Sequence, residues 1–376
     1  MSTLNNLLFY LLFTSMLVMI SCGGNEDDQD VLVDEEVVDD QEDITDDNSD
    51  DDTNTAITDH VFVTHENKRV SSMQMTASEY QAWIDEDHFR DNDVSLTVFN
   101  DIYKQFTDEY DFIFLVLNEE GIPENLTYYG MLKSVSNDIL GTGQDVYDYS
   151  ADYGSGGKLK AVMQLTGLRY LKSGPALHEL MHNWGNFGIP TESVEAPGSE
   201  ITSTPFWPHW GFTGGSSPGQ LGGFDQSSLE DLGNDLYSVA SFGPFANGGN
   251  GIPYNELELY LMGMISIDEV HDFDAFGNIT SLEILESTFQ FTANKRTTYN
   301  GASIKELLGE RVPSHVDAQK DFKLLVVVLT DTPLTDDEWN EVDDTAAWFE
   351  FKGADDISTY NFWEATNGAG SISIGQ

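Results

Sequence analysis

The chain has 376 residues, 40% of them hydrophobic and 12% aromatic, which is enough to bury a sizeable core. Against 16 basic residues stand 66 acidic ones, a formal net charge of −50. A surface of that sign repels phosphate backbones, so nucleic acid is excluded as a partner.

Residues 7–20 form an apolar run, shorter than a spanning helix needs and of the length of a signal-peptide core. The run ends in Met19-Ile20-Ser21-Cys22-Gly23-Gly24, which sets the one cysteine of the chain directly after a small residue. This junction resembles the lipobox of bacterial lipoproteins, although no Lys or Arg precedes Cys22 and Met19 stands three residues before it. The resemblance implies that Cys22 is acylated, becomes the mature N-terminus and anchors the protein to a membrane. With that cysteine used as the anchor, the exported part has no disulfide and must be held by its core and by metals.

From Gly23 to Ala56 there are sixteen acidic residues and no basic or aromatic ones. Such a composition cannot bury enough apolar surface to fold, so the sequence reads as a signal peptide over 1–21 and a lipidated acidic tether over 22–56. Glu26-Asp27-Asp28 also resembles the surface-export signal of Bacteroidetes lipoproteins, which implies the outer membrane, at the cell surface or its periplasmic face. Removing the sixteen tether acids leaves 50 acidic against 16 basic residues, so the part beyond is itself strongly acidic. No linker or repeat divides 57–376, which is read as one α/β (α+β) domain.

Residues 76–84 predict a short capped helix, and Val98, Phe99, Ile102, Phe106 and Tyr110 recur at helical spacing, predicting a second over 96–110. Residues 112–117, Phe-Ile-Phe-Leu-Val-Leu, are a continuous apolar run typical of a strand buried on both faces. Two more strands are expected, one within 128–135 and one at 159–165. A twisted mixed sheet packed on the helix that follows is the expected frame.

That helix carries His178-Glu179-Leu180-Met181-His182, an HExxH sequence. A spacing of four advances about 400° on a helix, so His178 and His182 project from one face a turn apart, as two imidazoles must to grip one metal ion. Glu179 lies about 100° round from His178, within reach of a water on the metal without ligating it. Leu177, Leu180, Met181 and Trp184 make an apolar stripe on the opposite side. Pro175 after Ser173-Gly174 marks the helix start, and Gly185 and Gly188 mark its end.

Residues 185–251 are rich in Gly, Pro, Ser and aromatics, and are expected to form a long loop walling the cleft. Regular structure resumes with a helix over 256–264, expected to pass under the metal site. A buried strand follows over 322–329. Thr335-Asp336-Asp337-Glu338 then makes a capping box opening a helix whose inner face is Trp339, Val342, Ala346 and Phe349.

HExxH supplies two ligands and a base, and a catalytic zinc needs a third protein ligand. Where a metzincin has its third His this chain has Gly188, while Glu192, Glu195, Glu200, Glu256 and Glu258 are all available as gluzincin-type ligands. His209, in the aromatic stretch Pro208-His209-Trp210-Gly211, is the sharper candidate. His60, His65 and His88 precede the sheet, and His271 and His315 sit among charged residues.

His178-Glu179-Leu180-Met181-His182-Asn183-Trp184, then His209-Trp210, then residues 254–264 (YNELELYLMGM) with Glu269-Val270, resemble a group of secreted bacterial zincin-like proteins. Those share HELxHxW, a later His-Trp and a tyrosine-led segment ending in YLMGL. The similarity extends to Arg311-Val312-Pro313-Ser314 and Ala365-Thr366-Asn367-Gly368. It implies a metallopeptidase fold with His178, His182 and His209 as ligands of one catalytic Zn²⁺ and Glu179 as general base. Tyr254 is a candidate oxyanion donor, with a structural role as the alternative, and Met262 is either a residue beneath the metal or a core methionine. A structural Ca²⁺ is conceivable, but no pattern of ligands supports one. The expected activity is hydrolysis of peptide or protein substrates. The alternatives are a non-catalytic surface binding protein on the same scaffold and a zinc hydrolase of other substrates.

Overall fold

The computed structural model describes residues 60–186, 189, 209–243, 246–354 and 358–375. In its first half a hairpin of β1 (Val61–Thr64) and β2 (Val70–Gln74) leads into helices α1 (Ala77–Asp85) and α2 (Asn92–Gln105). Strands β3 (Phe112–Leu117) and β4 (Gly130–Ser134), a small hairpin of β5 (Ser136–Asn137) and β6 (Tyr147–Asp148), and β7 (Ala161–Leu165) come next. Helices α3 (Tyr170–Ser173) and α4 (Ala176–Met181) close this half. The second half holds β8 (Gly211–Gly215), β9 (Gly222–Asp225), β10 (Glu230–Gly233), β11 (Leu236–Ala240) and α5 (Glu256–Met262). A long hairpin of β12 (Phe273–Ile284) and β13 (Thr288–Tyr299) follows, then α6 (Gly301–Leu308), β14 (Asp321–Thr330), α7 (Asp336–Glu350), α8 (Phe362–Ala365) and β15 (Ser371–Ile374).

The main sheet has seven strands in the order β1-β2-β14-β3-β7-β4, with β15 beside the first half of β14 where β2 takes the second. Its centre is parallel, and β1 and β4 are antiparallel at the edges. All of β3 and β7 is buried, because both faces of the sheet are covered. Phe112, Phe114 and Val116 pack with Leu177, Leu180 and Trp184 on the α4 side; Ile113, Leu115 and Leu117 pack with Trp83, Phe99 and Ile102 of α1 and α2 on the other.

Capping fixes several helix starts. The Thr76 hydroxyl accepts from the Glu79 N–H while the Glu79 carboxylate accepts from the Thr76 N–H, and Thr335 and Glu338 do the same at α7. The second helix differs from its predicted span, starting at an Asp91 cap and stopping at Gln105. Phe106 is already extended, so Tyr110 is buried from a loop and not from the helix.

The expected long loop over 185–251 is corrected more substantially. Residues 211–240 form four strands of a second, six-stranded sheet ordered β10-β11-β13-β12-β8-β9, around Phe212, Phe224, Phe242, Phe276, Phe289 and Phe291. Its glycines hid the strands, yet they are required. A Cβ on Gly223, whose φ is +94°, would lie 2.6 Å from the Thr213 carbonyl oxygen. Among the described residues no helix is long and apolar enough to cross a membrane. The predicted signal peptide, Cys22 and the acidic tether lie outside the described residues.

Candidate metal centre

Helix α4 is only six residues long, shorter than predicted, and Pro175 occupies its cap position. Asn250 substitutes for a local cap: its Oδ1 accepts from the Leu177 N–H at 2.9 Å, and its Nδ2 donates to the Leu171 and Lys172 carbonyls. After Met181 the helix tightens, with the N–H groups of His182, Asn183 and Trp184 bonding three residues back. The apolar stripe of Leu177, Leu180, Met181 and Trp184 is buried as predicted.

His178, His182 and His209 converge. Each offers a ligand atom, and these atoms lie within 4.8 Å of one another. The His178 Nδ1 is 2.6 Å from the Gln220 carbonyl oxygen, which can only accept, so Nδ1 carries the proton and Nε2 keeps its lone pair. The His182 Nδ1 is 2.6 Å from Asn186 Oδ1, and Asn186 Nδ2 donates to the His182 carbonyl at 3.0 Å, giving His182 the same tautomer. Burial lowers His178 to about 3 and His182 to about 4, and puts His209 well below the ordinary histidine value. All three are therefore neutral at neutral pH, the form that ligates, and the group can hold a metal ion.

His209 is placed by its neighbour. The Trp210 indole N–H donates to the Asn186 carbonyl at 3.1 Å and its backbone N–H to the Leu221 carbonyl at 2.6 Å. Gly185 makes room for this: a Cβ there would come 3.1 Å from the Trp210 ring and 2.9 Å from Met181 Cε. The glycine stands at the helix end, as predicted, and there it serves close approach. Gln220 is fixed in turn by Nε2 bonds to the Gly249 and Ile252 carbonyls.

Of the rival ligands, Glu256 and Glu258 are engaged elsewhere. Glu258 is wholly buried, capping α5 through the Asn255 N–H and accepting from the Leu221 N–H at 2.9 Å; burial raises its carboxyl to about 7 against these donors. Glu256 faces His271. Glu192, Glu195, Glu200 and Gly188 lie outside the described residues. His60 pairs with Asp101, His65 stacks on Trp339, His88 pairs with Glu86, and His315 lines a separate cleft with Lys305 and Arg311.

Glu179 is 3% exposed and packs against the edge strand β4. A Cβ on Gly130 would lie 3.0 Å from Glu179 Cγ and 2.8 Å from Pro175 Cγ, so this glycine lets the strand pass directly over the start of α4. Tyr254 donates its hydroxyl to the Leu177 carbonyl at 2.9 Å, a structural bond that uses its one proton. Met262 is a member of the main core. Asn186, Gln220, Asn250 and Glu258 were not picked out from the sequence as parts of the site's support. The spacing of four from His182 could have shown Asn186; Gln220 acts through its backbone carbonyl, which leaves no side-chain signature.

Comparison of the chain with protein-family models, with curated proteins and with solved structures returns no match.

Proposed function

We propose that the protein is a zinc-dependent peptidase of the zincin type, exported and anchored through an acylated Cys22 at the bacterial outer membrane. The observation that carries this reading is the convergence of three imidazoles on HExxH geometry, His178 and His209 buried and His182 partly so, with Glu179 adjoining one of them beneath the edge strand β4. Three neutral imidazoles suit zinc and leave a fourth coordination position for catalysis. Zinc held by His178, His182 and His209 supplies Lewis acidity, acidifying water and polarising a carbonyl.

The chain's own residues do the rest. Glu179 accepts the proton from the attacking water and delivers it to the departing amine. Strand β4 holds the peptide: the Thr166 N–H donates to the Tyr129 carbonyl and the Val135 N–H to the Lys160 carbonyl, so by alternation Tyr129, Met131 and Lys133 face β7. The N–H and C=O groups of Gly130, Leu132 and Ser134 then point to the outer edge, where β4 ends its sheet among the described residues. An extended peptide adds there as a further strand, with Glu179 below it.

The test is a digest of a proteome-derived peptide library by the purified chain. Internal cleavage that a chelator stops and added zinc restores is expected. A chain that binds zinc and peptides but cuts none would favour the non-catalytic binding protein instead.

A further inference from the structure

The outer edge of β4 is short, and what closes it is built of aromatic side chains. Both the Val135 and the Ser136 N–H groups donate to the Lys160 carbonyl, a bulge that turns the Val135 carbonyl away to accept the Tyr149 N–H at 2.9 Å. The β5–β6 hairpin therefore occupies the sheet edge immediately beyond Ser134. The open stretch runs from Gly130 to Ser134, about 14 Å at the rise of a strand. A peptide paired on it has Glu179 at one end and the hairpin at the other.

The hairpin's aromatics stand on the same face as Glu179. Gly130 and Leu132 face α4, through Glu179 and through the core of Leu177 and Leu180, whereas Lys133 faces away, its Nζ donating to the Phe89 carbonyl and Ser95 Oγ. Alternation puts Ser134 with Gly130 and Leu132. Its side chain lies near the Tyr147 hydroxyl, and Tyr149 stacks on Tyr147 with centroids 5.6 Å apart and planes 27° from parallel. Tyr149 is 58% exposed.

Resting on the peptidase reading, we propose that the stacked Tyr147–Tyr149 pair is a specificity subsite that takes an aromatic or large apolar side chain about four residues from the scissile bond. The occupant follows from continuity: a peptide extended along β4 past Ser134 meets the tyrosine face of the hairpin. An exposed ring gives such a side chain a flat apolar contact that a polar one cannot match.

Quenched fluorescent peptides and the full-length protein test this. Two sets are needed, one long enough to reach the hairpin and one ending short of it. Wild type should cleave long peptides carrying Phe or Leu at that position with a KM about tenfold below those carrying Ser or Asp there, at similar kcat. Tyr149→Ser should raise the lower KM about tenfold, Tyr149→Phe should leave it in place, and neither should change cleavage of the short peptides. Unchanged KM in Tyr149→Ser, or an equal loss on short peptides, overturns the subsite while leaving the peptidase reading standing. If neither enzyme cuts any peptide of either length, the peptidase reading fails and takes the subsite with it.

Discussion

Replacing Gly130 by alanine tests whether the edge strand holds the general base in position. The added methyl would stand 2.8 Å from Pro175 Cγ, 3.0 Å from Glu179 Cγ and 3.1 Å from Leu165 Cδ2, where carbon atoms normally keep about 3.5–4.0 Å. Pro175 is tied to the start of α4, and Leu165 is wholly buried in β7. The Glu179 side chain, with the most rotatable bonds of the three, is the neighbour expected to shift. Crowding of this kind costs about 1–3 kcal/mol, which over a folded part of some 320 residues lowers Tm by about 2–5 °C. A displacement of Glu179 approaching 1 Å costs about 10²-fold in rate. Gly130→Ala should thus keep its zinc, melt a few degrees lower and lose about 10²-fold in kcat on a cleaved peptide. Wild-type kcat in a protein with lowered Tm would refute the placement of Glu179 under the strand, and loss of zinc would show that the crowding reaches the histidines instead.

Glu179→Gln keeps the shape of the side chain but cannot accept the proton, so kcat should fall about 10²–10⁴-fold with zinc content and Tm unchanged; full activity would exclude Glu179 as the base. Cys22→Ser should move the protein from the membrane to the soluble fraction and abolish fatty-acid labelling, and a variant that stays labelled at the membrane contradicts the lipid anchor. The Glu258 carboxyl is raised to about 7 in the fold from an ordinary 4.5, so between those values the folded state binds more protons than the unfolded one. Its contribution to stability is full below 4.5 and is lost as pH rises through 7. With chelator present, urea unfolding should show wild type losing up to about 3 kcal/mol relative to Glu258→Gln between pH 4.5 and 7.5, whereas parallel profiles would mean that the backbone donors keep Glu258 ionised throughout.

The parts of this molecule that could be read in advance are those whose cause is local. Strand β3 and the 324–329 stretch of β14 announce themselves because burial on both faces demands an apolar run, and β7 reads the same way apart from Gln164. The capping boxes at Thr76 and Thr335 are complete within four residues, and the HExxH spacing is a property of one helix turn. Placing His209 needed only the demand for a further ligand and a histidine in an aromatic loop. What stayed hidden depends on distant partners. The first turn of α2 is polar, so apolar periodicity passes over it although Asp91 caps it. Helix α4 is short, and residues 73 and 77 positions away, Asn250 and Tyr254, take the Leu177 N–H and carbonyl. The second sheet escapes notice because its first strands trade apolar side chains for glycines that let backbones and Gln226 come close.

The central claim is that His178, His182 and His209 together hold one zinc ion. Zinc stoichiometry of the purified wild-type chain, measured beside His209→Ala and His271→Ala, tests it most directly. The account predicts one zinc per chain in wild type and in His271→Ala, whose side chain is 81% exposed and pairs with Glu256, and substoichiometric zinc in His209→Ala. Full zinc occupancy in His209→Ala would contradict it and hand the third position to a carboxylate.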